Sequence, residues 1–585
     1  MNRFLLLAFM LIAPGACVAQ SLNKTIYSDA VRIVHLSSVA DTFQFDRLRT
    51  HKHDLAVNKN NRSQRTSGGV PIKRHEQEPY VRAKYTAHEF GGNPNDNSLA
   101  ISNDRVILAI QNKYVYAFEE DGTVLFVKSL RAFIGTSETA VFDPRVLFDP
   151  QERKFVITML SGKTYQESKL YLCFSHTADP SGSWNVMSLS GNPLGDNTWT
   201  DFPVFSLTPS EIIVTSNSFF NGSVNNSGFK QSLVWRISKR NGFLGLPLTA
   251  SVYPATTAEG KNVFNLTPAS EWFSSESEII LLSNEALTGG DKFHVVTIED
   301  NGLVIQTVTA DISYSLPANA TQPLTSVTLN TNDCRILDAT YLDGKWYFVL
   351  NTTYEDHAAI YLGTVSQSSN GFQINGRVIA DENHIAFPSL AALEWNGQRS
   401  LMIGYLHSSS TNYPGSSIVQ VDVTSSDLVA SQPLKINEGD DYFGVWGDYT
   451  DIKKVPGTNE VVYCGSFGLS SGTIGGGESA TVIAFARPAV ITDAEHPVTT
   501  EISLFPNPTI GIFYVEIGSI TRGDVMIEIY DRNGLVVGKP ITNRVSVNGR
   551  YRFTVNTTGL PPGVFQVRLL QAGRVLLNEK LVVIN

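Results

Sequence analysis

Ten residues have side chains suited to chemistry and share one setting: Asp96, Asp143, Arg145, Trp199, Asp201, Asp333, Arg335, His384, Trp446 and Asp448. Each lies in or beside a short polar stretch that leads into an apolar, strand-like run. Carboxylates and guanidiniums orient hydroxyl or carboxyl groups, and tryptophan faces stack on sugar rings. Brought to one mouth, these residues would form a site for a polar ligand. The competing role for each Asp is structural, because Asp in a turn accepts hydrogen bonds from nearby backbone N–H groups. A pair such as Asp143 and Asp201 could serve glycoside hydrolysis, but only at a particular carboxyl separation. No Gly-x-Ser-x-Gly elbow, His-Glu-x-x-His helix or phosphate-binding loop occurs. No cofactor is expected. Asn93, Asn95, Asp96 and Asn97, and separately Asp440 and Asp441, offer oxygens of the kind that hold structural Ca²⁺, though neither group fits an EF-hand.

The runs that follow these polar stretches set where the ten residues go. Between Gly91 and Pro488 the chain repeats a unit of four strands. The first strands are expected at 97–100, 145–148, 203–206, 263–266, 335–338, 388–391 and 449–452. The second strands are expected at 106–110, 155–160, 212–216, 279–283, 346–350, 401–405 and 461–466. Later hairpins carry Asp121-Gly122, Asn241-Gly242, Asn301-Gly302 and Asn370-Gly371, dipeptides that suit type I′ turns. About seven such units suggest a β-propeller, most simply seven-bladed, because closing the ring removes exposed sheet edges. The seventh unit shows only three strands, so Tyr80–Tyr85 is expected to complete it. In this arrangement the first strands line the channel, and the polar stretches meet at its mouth.

The two ends of the chain read differently. Met1-Asn2-Arg3, an apolar run to Ala13 and small residues up to Ala19 have the form of a secretory signal peptide, with residues 1–19 removed. Residues 20–79 read as an N-terminal segment and linker, strand-like over 25–36 and flexible over 58–69. Residues 80–488 form the propeller, 489–500 a connector and 501–585 a small Ig-like sandwich. No transmembrane span is expected. The formal net charge of -10 argues against nucleic acid as a partner. Cys173, Cys334 and Cys464 match no zinc spacing and read as buried thiols.

Two stretches resemble known families. The C-terminal residues Phe505-Pro506-Asn507-Pro508-Thr509, Gly511, Asp531 to Gly534, Gly559-Leu560-Pro561-Pro562-Gly563 and Lys580-Leu581-Val582-Val583 resemble the type A C-terminal sorting domain of type IX secretion cargo in Bacteroidetes. That resemblance implies an outer-membrane translocon as partner and residence at the cell surface or outside the cell. In the body, Asp143 to Pro150, Trp199 to Pro203, Phe387 to Leu390 and Trp446 to Tyr449 are similar to segments of uncharacterised secreted propellers of the sialidase superfold. The turn Thr177 to Trp184 resembles the Asp-box of such propellers, a structural element. A sialidase-like site would need three arginines and a Tyr paired with Glu. Only Arg145 and Arg335 are in place. A module binding glycan or protein ligands is therefore favoured, over a glycoside hydrolase and over a structural surface component.

Overall fold

The computed structural model describes residues 17–18, 23–39, 69–88, 95–138, 140–222, 228–273, 279–299, 302–395, 397–439, 446–469, 478–489, 502–520, 523–532, 535–537, 541–545, 549–571 and 574–584. The chain divides into two units, Met1–Ala489 and Val490–Asn585. Among the described residues the first unit contains seven sheets. Their inner strands are Ser98–Ile101, Val141–Asp149, Thr198–Leu207, Thr267–Pro268, Ile336–Leu342, His384–Trp395 and Asp451–Lys454. Each inner strand touches the next, and Asp451–Lys454 touches Ser98–Ile101, so the sheets close into a ring. The body is a β-propeller.

The core repeats with the sheets. Seven apolar clusters fill the seven gaps between neighbours, the last joining Val462, Cys464 and Phe485 to Leu99, Ile107 and Tyr116. The second strands are covered on both faces by adjacent sheets. Lys154–Ser161 and Lys345–Tyr354 are buried along most of their length, which is why they read as nearly continuous apolar runs. Each large side chain withdrawn in this way contributes roughly 1.5–3 kcal/mol.

Closure uses the N-terminal side of the chain. Tyr80–His88 pairs antiparallel with Glu478–Arg487 as the outer strand of the seventh sheet, as expected from the missing fourth strand. Part of the segment read as linker is also built into the propeller. Lys24–Tyr27 adds a fifth strand to the third sheet and Arg32–His35 to the second. Lys73–Arg74 runs parallel to Val429–Ala430 on the sixth. Cys17–Val18, inside the expected signal segment, pairs with Val304 and Ile305 on the fourth. These strands cover outer edges that would otherwise expose unpaired backbone.

Three local expectations are corrected. The fourth inner strand is not 263–266. Val263 instead bonds Ala255 on the outer strand of the third sheet, and pairing to the fourth begins at Thr267. Asn241-Gly242 is no hairpin turn but part of the short helix Lys239–Leu244, which ends at Gly245 with φ 67°. Gly122 and Gly371 adopt positive φ (90° and 105°) while Asp121 and Asn370 do not, so neither dipeptide forms a type I′ turn. Asn301 and the stretch 58–68 lie outside the described residues. The Asp-box-like segment is a structural turn: Asp179 Oδ1 accepts the Ser181 N–H at 2.8 Å, and buried Trp184 donates Nε1–H to Pro180 O at 2.9 Å. Cys173, Cys334 and Cys464 are buried and form no disulfide.

The second unit has two sheets, one of Ile502–Phe505, Ile512–Ile520 and Gly549–Asn556, the other of Gly523–Tyr530, Ile541–Val545, Gly563–Gln571 and Arg574–Val583. Phe513, Val515 and Val555 from one meet Ile527, Val567 and Leu581 from the other in a single core.

Candidate functional site at the channel mouth

The polar stretches enter the inner strands through a recurring backbone device. In the second, third and sixth sheets the first strand carries a bulge that contains one residue in left-handed conformation: Asp143 (φ 48°), Phe202 (φ 51°) and Phe387 (φ 55°). Such a conformation is unfavourable for a non-glycine residue and persists only where its surroundings hold it. At Asp143 and Phe387, and at Asn265 (φ 54°) ahead of the fourth inner strand, an Asn from the preceding sheet supplies that support. Asn112 Oδ1 accepts the Asp143 N–H, Asn217 Oδ1 the Asn265 N–H and Asn351 Oδ1 the Phe387 N–H, at 2.8 to 3.0 Å. Asp96, itself left-handed (φ 49°), joins the seventh entrance to the first: its Oδ1 accepts the Asp448 N–H at 3.0 Å, and its Oδ2 accepts from Asn112. The bulges turn the strand entrances toward the axis, so bulky side chains meet there.

The centre of the mouth is a stack of cations and rings. The Arg145 guanidinium lies 3.4 Å from the centre of the Tyr449 ring and 5.6 Å from that of Phe202. Arg335 approaches Phe202 at 4.8 Å and also faces Phe264 at 5.3 Å. Contacts of this kind stabilise by about 0.5–2 kcal/mol each. Phe264 continues through Phe229 and Phe219 to Trp199, with ring centres 4.7, 5.8 and 5.7 Å apart in turn. Trp199, Phe229 and Phe264 are only half-buried.

The two arginines differ in their partners. Arg335 and Asp333 are both buried and form a bidentate pair, Nε to Oδ1 at 2.9 Å and Nη2 to Oδ2 at 2.7 Å. Asp333 Oδ1 also accepts the Arg335 N–H. The acids Asp333, Asp448 and Asp201 hold the Arg335 charge more firmly, against the pull of burial toward the neutral form. Arg145 Nε and Nη2 are likewise inaccessible to water, yet neither meets a hydrogen-bond partner among the described residues. Four aspartates (96, 201, 333 and 448) against two arginines give the mouth an excess of acids.

Thus the structure brings together Arg145, Asp333, Arg335, Asp201, Asp448 and Asp96, with Trp199 at the end of the ring train. Asp143 is buried in its bulge. Trp446 is also buried, edge-on to Phe387 beneath Leu329 and Leu406, so its face is not offered to a ligand. His384 accepts the Ala358 N–H at Nδ1 and faces His357 across 4.9 Å, beside a separate cleft. Burial, then the neighbouring His357, lower its pKa to about 4. Asn95 and Asn97 bond Ser466 and Thr481 between the seventh and first sheets. With Asp96 engaged elsewhere, these three do not converge on one point. Asn93, Asp440 and Asp441 lie outside the described residues. Among the described residues no group of three or more His, Cys, Asp or Glu is arranged to hold a metal.

One charged group was missed from sequence. Further along the inner strands, Lys453 pairs with Asp451 on its own strand and with Glu271 from the connection that follows Thr267–Pro268. Enclosure by protein raises Asp338 to about 6, opposed by Lys453. Glu271 and Lys453 are 182 positions apart, and no local motif links them.

In the second unit, the motif around Pro506 ties the N-terminal edge to the last strand. Asn507 Oδ1 accepts the Val582 N–H, and Thr509 N–H reaches Val582 O, both at 2.8 Å. Gly511 O accepts the backbone N–H and the hydroxyl of Thr557. Gly559, with φ 98°, permits the turn through Leu560 into the strand that begins at Gly563. Gly534 lies outside the described residues. Residues 503–584 match the family model described as the secretion system C-terminal sorting domain. The chain is type IX secretion cargo. Its destination is the cell surface or the extracellular space. Among the described residues no helix is long and apolar enough to cross a membrane.

A comparison with curated proteins finds no match. Solved structures similar to the chain include the mitotic checkpoint complex, at 10% identity over 72% of this chain and 95% of that one, with TM-score 0.39. Trypanosoma rangeli sialidase in complex with sialic acid shares 9% identity over 80% of this chain and 90% of that one, with TM-score 0.34. Phage phi92 endosialidase shares 10% over 88% and 87%, with TM-score 0.31.

Proposed function

We propose that the propeller is a binding module displayed outside the cell, and that its channel mouth takes an uncharged, hydroxyl-rich ligand such as a glycan. The observation that carries this reading is Arg145. Two of its guanidinium nitrogens are removed from water without a hydrogen-bond partner among the described residues, an arrangement that costs stability unless something else supplies the acceptor. Arg145 is only half-buried as a whole, and once its guanidinium swings toward the mouth a hydroxyl or carbonyl oxygen of a ligand would do so. The excess of aspartates at the mouth disfavours an anion, while half-buried Trp199, Phe229 and Phe264 provide apolar faces for stacking. Three of the acids are already engaged, which favours binding over hydrolysis: both oxygens of Asp333 bond Arg335, both oxygens of Asp96 hold the strand entrances, and Asp448 Oδ1 accepts from Asn332.

The test is a glycan array probed with the purified secreted chain, together with reducing-end release assays on every glycan bound. Binding without product release, abolished by Arg145→Met, is the expected result. Product release, or binding indifferent to Arg145→Met, would overturn the reading.

A further inference from the structure

A second cleft lies away from the mouth, between the fifth and sixth sheets, with a volume of about 680 Å³. It is walled by the turn Tyr354 to His357, by Ala380 to Asn383 and by the entrance to the third strand of the sixth sheet near Asn412. Its size falls in the range of small-molecule sites. Two buried side chains reach it from Gln398–Ser408, each with a polar atom that completes no well-formed hydrogen bond among the described residues: Tyr405 Oη, which faces Ser417, and His407 Nε2.

The rest of the lining shows what these atoms await. Arg74 already donates to Ser431 O (2.8 Å) and Ala380 O (2.7 Å) and lies 3.6 Å from Asp381. Lys435 is paired with Glu438 at 2.6 Å and also reaches Asn412 Oδ1. Asn412 in turn donates to Asn383 Oδ1 at 2.8 Å. The cations are therefore committed, and a ligand anion would find no available countercharge. The imidazole of His407 is kept neutral, since burial and then Lys435 lower its pKa to about 4. Its Nδ1 shares a proton with Ser417 Oγ at 2.9 Å, so Nε2 donates or accepts according to that bond. A hydroxyl group satisfies either form, and it satisfies the phenol of Tyr405 equally.

We infer that this cleft binds a neutral sugar residue, whose hydroxyls complete the hydrogen bonding of Tyr405 and His407 while Asn383 and Asn412 contact its outer side. The inference rests on the cleft alone and does not require the reading of the channel mouth.

The experiment is saturation-transfer NMR on the full chain with neutral methyl glycosides of mannose, galactose, glucose and N-acetylglucosamine, followed by titration calorimetry. Tyr405→Phe removes one oxygen and leaves the packing in place. Asn412→Ala tests the outer side without touching the core. At least one glycoside is expected to bind, with affinity falling about five-fold or more in each variant and holding steady in Arg145→Met. No transfer from any of the four glycosides would overturn the inference. So would binding that both variants leave unchanged, or binding lost only in Arg145→Met, which would place the sugar at the mouth.

Discussion

Two arginines flank Phe202 at the channel mouth, and their surroundings assign them different work. On one side Arg335 is fully buried, gripped by both oxygens of Asp333 and stacked on Phe202 and Phe264. On the other, Arg145 has the same kind of aromatic support from Tyr449 and Phe202 but no carboxylate against its buried nitrogens among the described residues. Similar positions in the second and fifth repeats thus hold one arginine locked to a carboxylate and one whose buried nitrogens have no partner among the described residues. The charge of a side chain does not decide its role. What decides it is whether the fold supplies the partner.

The largest effect should come from breaking the satisfied side. Asp333→Ala leaves the Arg335 charge buried without its carboxylate, and chemical denaturation is expected to show a loss of about 3–5 kcal/mol. The same measurement on Arg145→Met should move stability by about 1 kcal/mol or less, because the stacking lost on Tyr449 and Phe202 is offset by removing two buried nitrogens without partners. If the two substitutions cost the same, the distinction between the arginines fails.

A second effect arises from groups held neutral near the cleft. His384 and His407 each have a folded pKa of about 4, against an ordinary value of 6.5. The unfolded chain therefore binds more protons between pH 4 and 6.5. The stability that these histidines contribute is complete above pH 6.5 and is lost as pH falls toward 4, on the order of 3 kcal/mol for each. Asp338, raised to about 6, acts in the opposite sense and loses stability as pH rises across its own window. The useful quantity is therefore wild type minus a His384→Asn, His407→Asn double variant. That difference should climb from pH 4 to 6.5 and level off above it. A flat difference would show that the histidines are not held neutral.

The smallest effects concern the ligand face. Arg145→Met should weaken glycan binding about ten-fold or more. Trp199→Ala, at the far end of the ring train, should weaken it by roughly 1 kcal/mol. A larger loss at Trp199 than at Arg145 would move the centre of the site outward along Phe219 and Phe229.

The repeat was readable because four-stranded units carry apolar second strands covered on both faces, and their spacing alone points to a closed ring. The segment 25–36 was legible as strand-like, but not as part of the propeller. Lys24–Tyr27 and Arg32–His35 lie on outer edges and expose most of their side chains, so no apolar face marks which sheet they join. At the mouth, the positions of the ten residues were legible but not their roles. Asp143 is a bulge residue because of Asn112, and Trp446 is buried because of Phe387. Arg145 stands out only once Tyr449, from the far end of the propeller chain, comes to lie beneath it. Such pairings belong to the closed ring and have no local signature.

The most direct test of the account is a crystal structure of the propeller chain with a glycan identified on the array. The account predicts a sugar oxygen within hydrogen-bond distance of Arg145 Nε or Nη2, with the Arg335–Asp333 pair unchanged. A glycan seated elsewhere with Arg145 untouched, or Arg145 paired to a carboxylate of the chain itself, would contradict it.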